Sequence, residues 1–299
     1  MAGVLYKSNK LQILLITVVC VGIYLGLRAL PDSECAFLHF EGSQVTIDGA
    51  EFCATDNPIF LNLKRLAFPV EMQVMTDAPL RVGEEAFFRV SFATLAGKPI
   101  LPQDLAITHT ELLHLLVVDP SLNDYHHVHP EPDGLSGEWT FSLTPRQAGT
   151  FQLFAEMVPL RTQTQVVATG TFEVAGEAQA PVVATSLSEA IGEYRFDLAV
   201  DPGQPLTNVD NQLLLTVTRG DGKPVELELV MGAFAHMVAF DQDRDGYAHL
   251  HPKYTGYERS AEPRLAFVLN TAKTGYYRVW AQLKIGGEEL FAPFDITVQ

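Results

Sequence analysis

Two stretches of the chain carry three histidines at one spacing: His114, His127 and His129 in LLHLLVVDPSLNDYHHVHP, and His236, His249 and His251 in FAHMVAFDQDRDGYAHLHP. Side chains alternate along an extended strand, so the two histidines of each HxHP share a face. The twelve residues ahead of them suit two strands joined by a turn at DPSLND or DQDRDG. A register that sets His114 against His127 or His129 converges all three imidazoles, and the same holds for His236 with His249 or His251. A slip of one residue would send the first histidine to the opposite face. Three convergent neutral imidazoles are a ligand set for copper or zinc. The residue five before the first histidine is a further candidate ligand: His109 in one stretch and Met231 in the other, where a thioether would favour Cu(I). The competing reading makes the histidines structural, bonded to backbone or carboxylate. Leu116, Val118, Val238 and Phe240 share a strand face with the first histidines, which would make that face largely core.

Asp241, Asp243, Asp245 and Gly246 match the start of an EF-hand loop, but its twelfth position is Pro252 rather than Glu, and the flanks read as strands. The segment is read as an acidic turn, and calcium is not expected. Nucleophile elbows, phosphate loops and dinucleotide fingerprints are missing from the sequence, so no catalytic residue is assigned and an enzyme is not expected.

The elements that must hold these histidines are short. Runs rich in Val, Phe, Leu and Thr, among them EAFFRVSFAT, EWTFSLT, QLLLTVT and RLAFVLN, are bounded by Gly, Pro and Asp, the texture of an all-β sandwich. The pattern also repeats. GKP at Gly97 and Gly222 precedes each histidine stretch, His114 aligns with His236 through to Pro130 with Pro252 without a gap, and GTFQLFAEM from Gly149 aligns with GYYRVWAQL from Gly275. The expectation is two tandem immunoglobulin-like β-sandwiches over residues 64–176 and 193–299, joined by a linker at 177–192.

Ahead of them, residues 1–10 read as a cytoplasmic N-terminus and 11–30 as a transmembrane signal-anchor. Leu11 to Leu27 is apolar except for Gln12 and Thr17, and Lys7 and Lys10 precede it. Residues 31–63 would then be exported, on the periplasmic or extracellular side, with Cys35 and Cys53 placed to form a disulfide. The alternative is a soft-metal site of Cys35, His39 and Cys53. At 299 residues, 47% hydrophobic and a formal charge of −16, the chain supports two cores and disfavours nucleic acid as a partner. Expected partners are a metal ion, the membrane through the N-terminal helix, and an envelope protein. In the rival reading, the chain is a cell-envelope interaction module with structural histidines. A third reading is pH sensing through histidine.

The string HTELLHLLVVDPSLNDYHHVHPEPDG, followed by GEWTFSLTPRQAGTFQLFAEMVP, resembles YtkA-like and related exported HxHP-containing β-sandwich proteins. MGAFAHMVAF with YAHLHP looks like a diverged second copy. The resemblance covers roughly residues 65 to 299. It implies an immunoglobulin-like fold, a link to copper or heavy-metal handling, and site residues His114, His127, His129, His236, His249 and His251.

Overall fold

The computed structural model describes residues 2–28, 44–47, 49–53, 60–134, 136–183 and 185–299, the side chains of 2–9, 27, 28, 44, 45 and 53 excepted. It divides into two units, Met1–Cys35 and Ala36–Gln299. The first holds one helix, α1 (Ala2–Arg28), whose described side chains are all exposed. Among the described residues no helix is long and apolar enough to cross a membrane. Cys35, His39 and the Cys53 side chain lie outside the described residues, and with them the expected disulfide.

Among its described residues the second unit is built of strands, apart from a 3-10 turn at Pro102–Asp104. It begins with a hairpin of β1 (Gln44–Ile47) and β2 (Ala50–Cys53), followed by β3 (Leu61–Asn62). The first repeat contains β4 (Val70–Thr76), β5 (Leu80–Arg81), β6 (Ala86–Thr94), β7 (Leu105–Ala106), β8 (His114–Val118), β9 (Tyr125–Val128), β10 (Glu131–Pro132), β11 (Glu138–Leu143), β12 (Gly149–Pro159) and β13 (Val166–Ala175). The second contains β14 (Ser188–Ile191), β15 (Tyr194–Asp201), β16 (Asn211–Arg219), β17 (Leu227–Glu228), β18 (Ala235–Asp241), β19 (Gly246–Leu250), β20 (Arg264–Leu269), β21 (Gly275–Ile285) and β22 (Glu288–Val298). β14 thus lies within the stretch expected as linker.

Each repeat folds into two sheets. In the first, β10-β11-β6-β4 faces β5-β13-β12-β8-β9; in the second, β14-β15-β16-β20 faces β17-β21-β18-β19, to which β3 from the N-terminal segment adds as an outer strand. Burial shows how the sheets are used. β6 and β16 alternate between buried and open positions, as strands with one wet face must. Every residue of β8, β18 and β19 is buried, which requires cover on both faces.

The second cover is the other repeat. Leu115, Val117, Leu153 and Ala155 point into the core of the first sandwich, with Phe88, Trp139 and Phe151. Leu116, Val118, Tyr125 and Phe154, on the opposite face of the same sheet, form a separate cluster with Val238, Phe240, Tyr247 and Trp280 of the second repeat. The sandwiches therefore stack through their histidine-bearing sheets, with three apolar layers where two were expected. The N-terminal segment joins the second repeat, since Ala50, Phe52 and Phe60 belong to its core.

Polar contacts at the rim lock the stack: Arg278 donates from Nη2 to Asn123 Oδ1 at 2.8 Å, and Arg244 from Nη1 to the Thr150 carbonyl at 2.6 Å. Phe154 is central to the middle layer, its ring centroid 5.0 Å from that of Tyr247 and 5.9 Å from that of Phe240. Phe154→Ala is expected to lower unfolding free energy by about 3–5 kcal/mol in urea denaturation. A loss below about 1 kcal/mol would mean that the middle layer is not a packed core.

Candidate metal centre

The register satisfies the condition set by the sequence. β8 pairs with β9 so that Leu115 faces Val128 and Leu116 faces His127, which places His114, His127 and His129 on one face. β18 and β19 do the same with Met237 opposite Leu250 and Val238 opposite His249. In each trio one ring nitrogen per histidine can be chosen so that the three lie within 4.8 Å of one another.

Hydrogen bonds decide which nitrogens these are. His114 Nε2 lies 2.9 Å from the Thr108 carbonyl, which can only accept, so Nε2 carries the hydrogen and Nδ1 the lone pair. His127 Nδ1 lies 2.9 Å from Gln282 Oε1, and the Gln282 amide nitrogen donates to Glu289 at 2.8 Å, fixing the amide with its oxygen towards the ring. His127 therefore presents its Nε2 lone pair. These two lone-pair nitrogens, His114 Nδ1 and His127 Nε2, face each other at 3.3 Å.

The second repeat reproduces the arrangement. His236 donates from Nε2 to the Val230 carbonyl at 3.0 Å, His249 from Nδ1 to the Glu156 carboxylate at 2.8 Å, and the remaining nitrogens, His236 Nδ1 and His249 Nε2, again stand 3.3 Å apart. Two acceptors at this distance repel unless a proton or a metal ion lies between them. At His249 the Glu156 carboxylate stands 2.8 Å from Nδ1 and would balance the charge of a second ring proton; at the other rings burial argues against the proton. It pushes His114 down to about 3, with His129 adding to the shift, and His129 down to about 4; His127 and His236 are also pushed well below the usual histidine range, first by burial and then by neighbouring imidazoles. Bonds of about 2.0–2.1 Å to a tetrahedral ion put adjacent nitrogens about 3.3–3.4 Å apart, which is the spacing of one pair in each trio, the third histidine's nitrogen lying within 4.8 Å. An N–H on each ligand's far nitrogen, bound to a carbonyl or carboxylate, is the usual outer support of a metal-binding histidine.

Local geometry supplies those supports. The carbonyls come from matching two-residue turns: His109 and Thr110 have φ of 47° and 73°, Met231 and Gly232 have φ of 49° and 81°. Bridges close these turns, Thr108 to Glu111 and Val230 to Ala233, just ahead of the first histidine of each trio. Glu156 and Gln282 occupy equivalent positions, opposite His114 on β12 and opposite His236 on β21, and each reaches across to the other repeat's histidine. Burial opposes ionisation of Glu156, but the His249 contact outweighs it and holds the carboxyl down to about 2.

The two trios are neighbours. The His127 ring centroid is 5.3 Å from that of His249 and 6.0 Å from that of His236, and His114 is 6.2 Å from His249. The sequence treats them as separate sites; the stacking makes them one paired centre. His109 changes sides as well, its ring 4.1 Å from His251 and 5.8 Å from His114, with its Nδ1 held by Glu51 at 3.0 Å. It extends the second trio rather than the first. Met231 occupies the equivalent turn, half-buried.

Asp241, Asp243 and Asp245 do cluster, but around an ammonium: Lys273 Nζ lies 2.9, 2.6 and 3.3 Å from their oxygens. A side-chain cation holds the place a calcium ion would need. Thr108, Val230, Glu156, Gln282 and Glu51 were missed by sequence reasoning. Only Glu156 left a signal, as the single acid in the buried run FQLFAEMV.

The architecture and the paired histidines define a tandem all-β protein with clusters able to hold metal. The chain belongs to the family described as "Domain of unknown function (DUF8832)", whose model matches it twice, over residues 69–176 and 189–299. No curated protein matches it. Among solved structures, a red sea bream transglutaminase aligns at 8% identity and TM-score 0.25, over 79% of this chain and 32% of the other, so that this chain spans about a third of that protein. The fibronectin(III)-like modules of Clostridium thermocellum CbhA align at 11% identity and TM-score 0.19, over 76% and 93%. Likenesses this low bear on neither fold nor function.

Buried neutral histidines have a pH signature. Below about pH 6.5 the unfolded chain takes up protons that folded His114 and His129 refuse until about 3 and 4. Stability of the metal-free protein is thus fully present above about pH 6.5 and falls as the pH drops towards 4. Denaturation midpoints measured across this range at constant ionic strength should decline, and a flat profile would show that the histidines are not buried as neutral rings.

Proposed function

We propose that the protein binds two transition-metal ions, one per histidine trio, for buffering, delivery or sensing of that metal. The observation that carries the reading is the pair of lone-pair nitrogens held 3.3 Å apart in each repeat while their far nitrogens donate to oxygen. Copper is the first candidate and zinc the second, since imidazole suits both and divalent copper binds a given nitrogen site more tightly than zinc. No catalytic role is proposed.

In the rival reading, an envelope interaction module, the histidines are structural supports between the packed repeats, and a partner would bind elsewhere on the domains. An immunoglobulin-like topology and the metal link implied by the YtkA-like resemblance belong to the proposal, supported by the antiparallel sheets and the matched hairpins. So does an exported location with the N-terminal helix as anchor. Its support is the run from Leu11 to Leu27, apolar except for Gln12 and Thr17, with Leu11 66% and Ile16 61% exposed, although among the described residues no helix is long and apolar enough to cross a membrane.

The test is elemental analysis of protein purified without a histidine tag, followed by competition titration with Cu(I), Cu(II) and Zn(II). Close to two equivalents are expected. Alanine at His114, His127 and His129, or at His236, His249 and His251, should remove about one equivalent each. Full occupancy persisting after both triple substitutions, or no binding tighter than micromolar by the wild type, would overturn the proposal.

A further inference from the structure

The two trios match in ligands and differ in surroundings. His127 and His129 line an open cleft of about 800 Å³ whose walls also carry Asp77, Glu131, Asp133 and Glu289. Asp77, Glu131 and Asp133 are exposed, and Arg89, the cationic residue in the same walls, is already engaged by Asp77 at 2.7 Å. His129 is half-buried, and its Nε2 is enclosed with no hydrogen-bond partner. His127 is 8% exposed, no more than His249 and His251 at 9%, so the difference in access between the trios lies at His129 and the cleft beside it. A solvent route lined by carboxylates therefore ends on two of the three ligands of the first trio.

The second trio is roofed. The residues after its HxHP are Lys253 and Thr255, where the first repeat has Glu131 and Asp133. The β1–β2 hairpin docks beside them: Glu51 donates its backbone N–H to the Gly232 carbonyl at 2.8 Å, and the Phe52 ring meets Tyr254 edge-on at 5.3 Å. Gly232 has φ 81°, which favours glycine, and a Cβ built there would lie 3.0 Å from the Glu51 carboxyl carbon, so the approach is close. Glu51 in turn holds His109 over His251. The outer partners differ too. His249 donates to the carboxylate of Glu156, His127 to the neutral amide of Gln282. A carboxylate raises the basicity of the imidazole it supports, and losing such a partner typically costs 10–100-fold in metal affinity.

We propose that the two positions divide the work: the second trio, with His109 beside it, retains its ion and fastens hairpin and repeats together, while the first trio exchanges its ion through the acidic cleft. The division rests on the metal-binding reading above. Carboxylates in a cleft raise the local concentration of cations and speed their entry, and a roofed site with a carboxylate-backed ligand releases its ion slowly.

Full-length protein loaded with zinc and mixed with excess chromophoric chelator tests this. One equivalent should leave at least about tenfold faster than the other. His129→Ala should abolish the fast phase and His251→Ala the slow one. Glu131→Lys with Asp133→Lys, on the exposed rim, should slow the fast phase several-fold, leave the slow phase unchanged and keep two equivalents bound. Two equivalents leaving in one phase, or a fast phase that survives His129→Ala and is lost in His251→Ala, would overturn the division and leave metal binding intact. Failure of the wild type to load zinc or copper at all would instead remove the reading on which it rests.

Discussion

Two neutral imidazoles held with their lone pairs towards each other are the constraint around which this structure is arranged. The contact is unfavourable by itself, and leaving a buried polar atom unsatisfied costs about 1–3 kcal/mol. It persists because every route of escape is blocked. A ring flip would turn the His114 lone pair against the Thr108 carbonyl, and one at His127 would present a lone pair to Gln282 Oε1, which Glu289 holds in place. In the first trio protonation would put a charge into a layer that holds Phe154, Phe240 and Trp280. A cation bound by both nitrogens relieves the conflict without breaking any of these bonds.

That constraint explains why the repeats stack through the faces that carry histidine. Alone, a sandwich of this kind would leave His114 and His127 on a wet surface, where either ring could take a proton near neutral pH. Stacked, each repeat dries the other's trio and supplies the outer partner of its middle histidine, Gln282 for His127 and Glu156 for His249. Neither repeat completes its own site. The aspartates at Asp241, Asp243 and Asp245 make a useful contrast: there the ammonium of Lys273 reaches all three carboxylates and Lys64 pairs with Asp245, so side-chain cations already occupy the cluster.

The strands, the duplication and the convergence of each trio could be read from the sequence because they follow from local rules: period-two alternation, turn residues, and a spacing that survives twice. The pairing of the trios could not, because it depends on which face of one repeat meets the other. The clue was present in HLLVV and AHMVAFD, apolar on both faces where a strand with one wet face would alternate. Leu116 and Val238, expected from the sequence to make the histidine face largely core, do lie in the apolar layer between the repeats. His109 was assigned by sequence distance to its own repeat, but the left-handed turn at φ 47° places its ring against His251. Phe52 and Phe60 lie in a segment with no repeat signal, and only the fold shows them completing the second core.

Divergence between the repeats has a consistent direction. Six histidines persist, together with the turn carbonyls of Thr108 and Val230, while the repeats differ around them: Glu156 against Gln282, His109 against Met231, Glu131 against Lys253. Each of these alters basicity, cover or charge around a trio without disturbing its geometry. Glu156 and Gln282 are themselves the hydrogen-bond partners of His249 and His127, so that change acts directly on the rings, whereas the changes at His109 and Glu131 act through cover and charge. Ion affinity and exchange rate are sensitive to all three. The pattern of what has changed therefore points to the same centre as the geometry of what has not.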